Sequence, residues 1–151
     1  MRLFFLILAL AALAVAGVER AIVDATNAQR AALGLRRLKS DPRLDEAALR
    51  HSEDMLRRSK LSHDSPLKGL ETPALRASAA GVNWRKVAEN VSFYRGYRPP
   101  AAEVVRDWMN SPHHRVNIVD PEFRLIGLGT ACRESRCYVT QMFAVERNPL
   151  D

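Results

Sequence analysis

The sequence predicts an α+β fold, a single domain arranged as an α-β-α sandwich, and three observations carry that expectation. Two amphipathic helical stretches open the folded part of the chain, two alternating strand-like stretches close it, and further helical and strand-like segments lie between. The 151 residues suit one domain of ordinary size and leave little room for a second. Hydrophobic residues make up 47% and charged residues 26%, a globular composition rather than a disordered one, and neither repeats nor an internal linker interrupt it.

The first segment is an address rather than a structural element. Arg2 precedes an unbroken apolar run from Leu3 to Leu13, and Ala14-Val15-Ala16 has the small-x-small pattern that signal peptidase needs. Residues 1–16 are therefore expected to be a signal peptide, cleaved before Gly17, and residues 17–151 the domain. An uncleaved anchor is the competing reading. At ~1.5 Å per residue, Leu3 to Val18 spans about 24 Å, short of the ~30 Å hydrocarbon core, so no stable membrane span is expected. The expected compartment is periplasmic or extracellular.

Val18 to Leu33 then reads as a helix with Ile22, Ala25, Ala28, Ala32 and Leu33 on one side, closed by Gly34. Asp41-Pro42 starts a second helix as N-cap and first residue. Its apolar face is Leu44, Ala48, His51 and Met55, which makes His51 a packed histidine with a satisfied ring nitrogen. Ser59 to Gly81 is irregular apart from a short helix at Leu75 to Ala80, and Val82 to Phe93 is strand-like with polar interruptions. After Arg98-Pro99-Pro100, a helix from Ala101 to Asn110 presents Val104, Val105, Trp108 and Met109, and Ser111-Pro112 caps one more turn reaching Asn117. Leu125 to Cys132 and Tyr138 to Val145 alternate as paired strands, with Gly127 and Gly129 permitting close backbone approach. In an oxidising compartment Cys132 and Cys137 are expected to form a bridge clamping this hairpin, against the alternative of two reduced thiols.

Charge and motif narrow the chemistry. Lys and Arg number 23 against 17 Asp and Glu, a balance of +6 that favours anionic surfaces. Arg36-Arg37 and Arg57-Arg58 have no interleaved aromatic residues, and with export they argue against nucleic acid as a partner. Ser62, His63 and Asp64 are consecutive and cannot stack into a relay. What remains is His63 in a polar loop, Glu89 embedded in an apolar stretch, and His114 at the start of a turn. Two imidazoles and a carboxylate could bind a divalent metal such as zinc or work as an acid/base pair. Alternatively, Glu89 anchors a loop through backbone amides and the histidines face solvent.

Several blocks, in order, bring a family into view: Asn27-x-x-Arg30 with Gly34-Leu35, Leu44-x-x-Ala47 with Asp54-Met55, Ser62-His63-Asp64, and Ala88-Glu89-Asn90-Val91. They continue with Trp108-Met109-x-Ser111-Pro112-x-His114-Arg115-x-Asn117-Ile118, Gly127-x-Gly129 and Tyr138-Val139-Thr140-Gln141-x-Phe143. Together they resemble the CAP (SCP-like) domain of cysteine-rich secretory proteins, insect antigen 5 and plant pathogenesis-related proteins, and most of all its bacterial secreted branch. The resemblance implies an α-β-α sandwich with a cleft lined by histidines and glutamates, where two of each hold a divalent metal in eukaryotic members. His63 matches the first family histidine, and Glu89 matches the glutamate of the G-E-N block, with Ala88 in place of its glycine. The other two positions depart: Ser111 stands where W-x-x-E has its glutamate, and Tyr138 where H-x-T-Q has its histidine. The implied cleft set is thus His63, Glu89, Asn90, His114 and Tyr138, with His63, Glu89 and His114 as candidate metal ligands and His114 filling space the tetrad has lost.

Two functions of different class fit these residues. One is a binding module whose cleft holds a small apolar ligand, a peptide or an envelope component. The other is a hydrolase, protease-like or acting on the cell wall, that uses Glu89 with His63 or His114; here the residues supply a base but no assigned partner.

Overall fold

A four-stranded sheet divides the molecule into two helical layers. The computed structural model of the chain describes residues 2–148, with side chains from 17 to 148. The elements in chain order are α1 (Arg2–Ala32), β1 (Lys39–Ser40), α2 (Pro42–Arg58), α3 (Pro73–Ala79), β2 (Trp84–Arg95), α4 (Ala101–Asn110), α5 (Pro112–Ile118), β3 (Leu125–Arg133) and β4 (Arg136–Glu146). The side chains that carry the signal-peptide expectation, residues 1–16, lie outside the described residues. No helix among the described residues is long and apolar enough to cross a membrane.

Local chemistry sets most boundaries. Gly34, at φ 70°, closes α1 in the left-handed conformation that glycine adopts without a Cβ penalty. Asp41 caps α2 by accepting the Arg43 amide, and Thr72 caps α3 by accepting the Leu75 amide. With Pro73 in its first turn, α3 therefore begins two residues before the expected Leu75. Asn27 grips the backbone of Leu38 at both its N–H and its C=O. The buried Arg30 donates to the carbonyls of Arg36, Ile118 and Asp120. These two side chains tie the α1–β1 connection to the end of α5.

The sheet order is β1-β3-β4-β2, with β1 parallel to β3 and the other pairs antiparallel. Strand alternation then sorts the core. Ile126, Leu128, Val139 and Phe143 meet Val18 and Ile22 of α1, Val104, Val105 and Trp108 of α4, and Ile118 of α5. Met142 and Ala144 meet Leu44, Ala47 and Ala48 of α2 and Ala77 of α3. On the α2 face of β3 stand Gly127 and Gly129, where a Cβ would run into the backbone of Leu44 and of Ala48 and Leu49. This is the close approach that the two glycines predict. Ser52 of α2 seals the contact by donating to the Gly129 carbonyl. Cys132 and Cys137 are opposite one another across the β3–β4 hairpin and are joined by a disulfide.

Candidate functional site

Glu89 occupies the middle of β2, on the side of the sheet covered by α2 and α3, and its side chain is 1% exposed. A carboxylate at such a depth needs charged or hydrogen-bonding partners. Three arrive from separate elements. Arg76 of α3, itself 1% exposed, donates to Glu89 Oε2 at 2.6 Å. From the loop after α2, His63 Nδ1 donates to Oε1 at 2.9 Å. His51 of α2 brings Nε2 to 3.7 Å from the same oxygen while donating to the Ser62 carbonyl at 2.7 Å. Arg76 also holds the loop itself, through the carbonyls of Leu70 and His63. One guanidinium thus fixes both the carboxylate and the chain that carries its histidine.

The electrostatics follow from this geometry. The hydrogen bond to Glu89 raises the His63 pKa above the ordinary histidine value, against burial and the Arg76 charge, which pull it down. Burial pushes His51 below that value, so its ring is neutral, and Nδ1 has no partner among the described residues. His114 is lowered by burial and by the positive charges of His63 and His113. His63 is therefore the imidazole of the set that holds a proton most readily, and with half its side chain exposed it presents that proton to solvent.

The opposite face of β2 is locked by amides. Asn90 donates to Gln141 Oε1 and to the His114 carbonyl, while Asn117 donates to Asn90 Oδ1 and to the Glu89 carbonyl. Gln141 in turn donates to Thr26 of α1. This chain positions α5, and with it His114, against the strand. Beside it opens a groove of about 450 Å³, walled by Leu61, Phe93, Tyr94, Trp108 and His114.

The structure brings together His63 and Glu89 and sets His114 in the adjacent groove, with no hydrogen bond from its ring to either among the described residues. Asn90 lies beneath as a buried strut. Tyr138 is buried in the core, its ring 5.0 Å from that of Phe93, so it supports the groove wall from behind. The donor set suits a divalent cation poorly. Both Glu89 oxygens are engaged, one by a guanidinium that repels a cation, and no group of three His, Cys, Asp or Glu among the described residues is placed to hold a metal ion. Sequence reasoning missed two members. His51 is packed as expected, yet it also belongs to the site. Arg76 carried no local signal; only the need of a buried acid for a partner points to some cation, without saying which.

Known proteins resemble this chain closely enough to place it. The model of the cysteine-rich secretory protein family, CAP, matches residues 23–143. The Bacillus subtilis protein YkwD is 36% identical over 129 residues, 85% of this chain and 48% of that protein. An extracellular SCP-domain protein of Bacillus anthracis superimposes with a TM-score of 0.72 at 29% identity, over 86% of this chain and 41% of its own. An outer surface protein of Borrelia burgdorferi shares the fold, with a TM-score of 0.73 at 19% identity over 83% of this chain and 90% of its own. The chain spans about half or less of the length of the curated relatives it matches.

Proposed function

Because the chain belongs to the cysteine-rich secretory protein (CAP) family, we propose that it is an exported binding module, secreted or periplasmic, whose groove beside His114 holds a small apolar ligand, a peptide or an envelope component. One observation carries this reading: Arg76 and His63 occupy both oxygens of Glu89, which leaves the carboxylate as a support for the loop and the histidine rather than a free base. Among the described residues, no serine, threonine or cysteine side chain is hydrogen-bonded to Glu89 or His63. Ser62 Oγ accepts from the Asp64 amide rather than facing a base, and both cysteines are bridged. The groove combines apolar walls from Leu61, Val91, Phe93 and Trp108 with polar groups from Ser92, Asp107, Ser111 and His114 that can orient what enters, as ligand sites do. In this reading residues 1–16 are the export signal, and the excess of basic residues favours anionic envelope surfaces.

A hydrolase is the second reading, favoured by the half-exposed His63 backed by a carboxylate, which has the form of a general acid. Native mass spectrometry of protein purified from its own host's medium or periplasm separates the two. A co-purifying apolar or peptide mass is the expected result. A bare protein that cleaves peptide or cell-wall polymer, and loses the activity in His63→Ala, overturns it.

A further inference from the structure

β2 is the outer strand of the sheet and pairs with β4 alone among the described residues. The ladder uses one side of its backbone, so alternate residues turn their N–H and C=O outward. The Glu89 carbonyl accepts from Asn117 at 3.3 Å and the Val91 carbonyl from Trp108 Nε1 at 3.4 Å, which identifies Glu89, Val91 and Phe93 as the outward set. Side chains of α4 and α5 thus close the first two outward positions. At Phe93 no such closure stands among the described residues.

The groove lies along this open portion. Phe93 and Tyr94 point to opposite faces of the sheet, yet both wall the groove, so it straddles the strand edge. Leu61 and His114 line it, and its volume of about 450 Å³ lies alongside the strand from Val91 to Tyr94. Open edges of this kind are templates for another strand unless they are blocked. The charges beside the groove select among strands. Arg95 and Arg115 are exposed and have no carboxylate partner among the described residues. The groove's own acid, Asp107, is already bound to the Tyr94 hydroxyl at 3.0 Å and to Arg106 at 3.2 Å.

We propose that the edge of β2 at Phe93, beyond the carbonyl of Val91 that Trp108 closes, accepts an extended acidic peptide segment, which lies in the groove and extends the sheet by one strand. The proposal rests on the binding-module reading and names its ligand. Only a peptide main chain offers donors and acceptors alternating at the strand repeat; its side chains alternate between the Leu61–Phe93 wall and the Tyr94–Trp108 wall, and its carboxylates meet Arg95 and Arg115.

The test uses the exported chain and three pentapeptide probes: acetyl-Glu-Val-Thr-Val-Glu-amide, the same peptide N-methylated at its three central residues, and the analogue with Gln for Glu. Amide exchange at Phe93 and chemical shifts of the groove residues are read by NMR, with 8-anilinonaphthalene-1-sulfonate as a separate apolar probe. The parent peptide should slow Phe93 exchange at least tenfold at saturation, while N-methylation and charge removal should each weaken binding, the former at least tenfold. Equal affinity for the N-methylated peptide overturns strand pairing, and equal affinity for the Gln analogue overturns the acidic preference. A dye that shifts the groove resonances while the peptide does not refutes this proposal and leaves the binding module standing. If neither probe perturbs the groove, both readings fall. Phe93 protection that rises with protein concentration alone assigns the edge to a second copy and overturns the peptide.

Discussion

Replacing Glu89 by Gln keeps the shape of the side chain and one acceptor while removing the charge that faces Arg76. Both side chains are 1% exposed, so the guanidinium is left in the interior with the carbonyls of Leu70 and His63 as acceptors and no counter-charge. Breaking a buried pair from one side typically costs about 3–5 kcal/mol. For a domain of this size that corresponds to a drop in Tm of roughly 10 °C or more. Removing the cation as well, in Glu89→Gln with Arg76→Met, takes away the orphaned charge and should recover about half of the loss or more. The ionisation of His63 distinguishes this network from simple packing. The carboxylate raises its pKa and Arg76 lowers it, so the order should be wild type highest, double variant next and Glu89→Gln lowest. Urea unfolding followed by circular dichroism gives the stabilities, and NMR titration of the ring protons gives the pKa order. Additive losses in the double variant, or a His63 pKa that is the same in all three proteins, would refute the network.

Two further outcomes follow from other parts of the fold. Glu19 has its pKa raised to about 7, chiefly by burial, against the hydrogen bond from the Thr130 amide and with help from the charge of Asp45. Its folded pKa exceeds the unfolded value of 4.5, so the folded state holds the proton longer and stability falls as pH rises from about 4.5 to 7. After discounting for partial exposure, Glu19→Gln should stabilise the protein by about 1–2 kcal/mol at pH 8 and by almost nothing at pH 4; denaturant midpoints at the two pH values check this, and a difference independent of pH contradicts it. Gly129→Ala should destabilise by about 3 kcal/mol or more, because the added methyl meets the backbone of Ala48 and Leu49 rather than a movable side chain. A thermal midpoint within a degree or two of wild type would mean that α2 can lift off the sheet at little cost.

The parts of the fold that were legible in the sequence are those whose signal is periodic. The Leu44–Ala48–His51–Met55 spacing gave a helix face, and the alternation of Leu125–Cys132 and Tyr138–Val145 gave a hairpin. β1 was not legible, since two residues, Lys39 and Ser40, are too few for any period and are held by their pairing with Leu125 and Ile126. In the site, Glu89 stood out because a carboxylate in an apolar strand breaks a local rule, and His63 because it sits in a polar loop. Arg76 broke no rule, for arginine is an ordinary residue in a seven-residue helix and only the tertiary fold buries it. His114 was singled out from its turn beside an amphipathic helix, but whether its ring would touch Glu89 depends on how α5 docks, and the Asn90–Asn117 amides that decide this are distant in sequence.

The glycines of β3 have a reach beyond their own contacts. Because Gly127 and Gly129 bring the backbone of α2 down to touch the strand, they set the height at which the whole helix rides over the sheet. His51 lies one turn beyond Ala48 on that helix and holds the Ser62 carbonyl, while Glu89 and Arg76 hold the neighbouring His63. The depth of the His51 imidazole is thus set by two absent methyl groups on a strand that lines no part of the groove, while Glu89 and Arg76 set His63. Such a device works like the stop on a drill: it has no part in what the tip meets, yet it decides how far the tip goes. A chain that needed a shallower or deeper cleft could find it by altering this spacer and leave every residue that faces the ligand as it was.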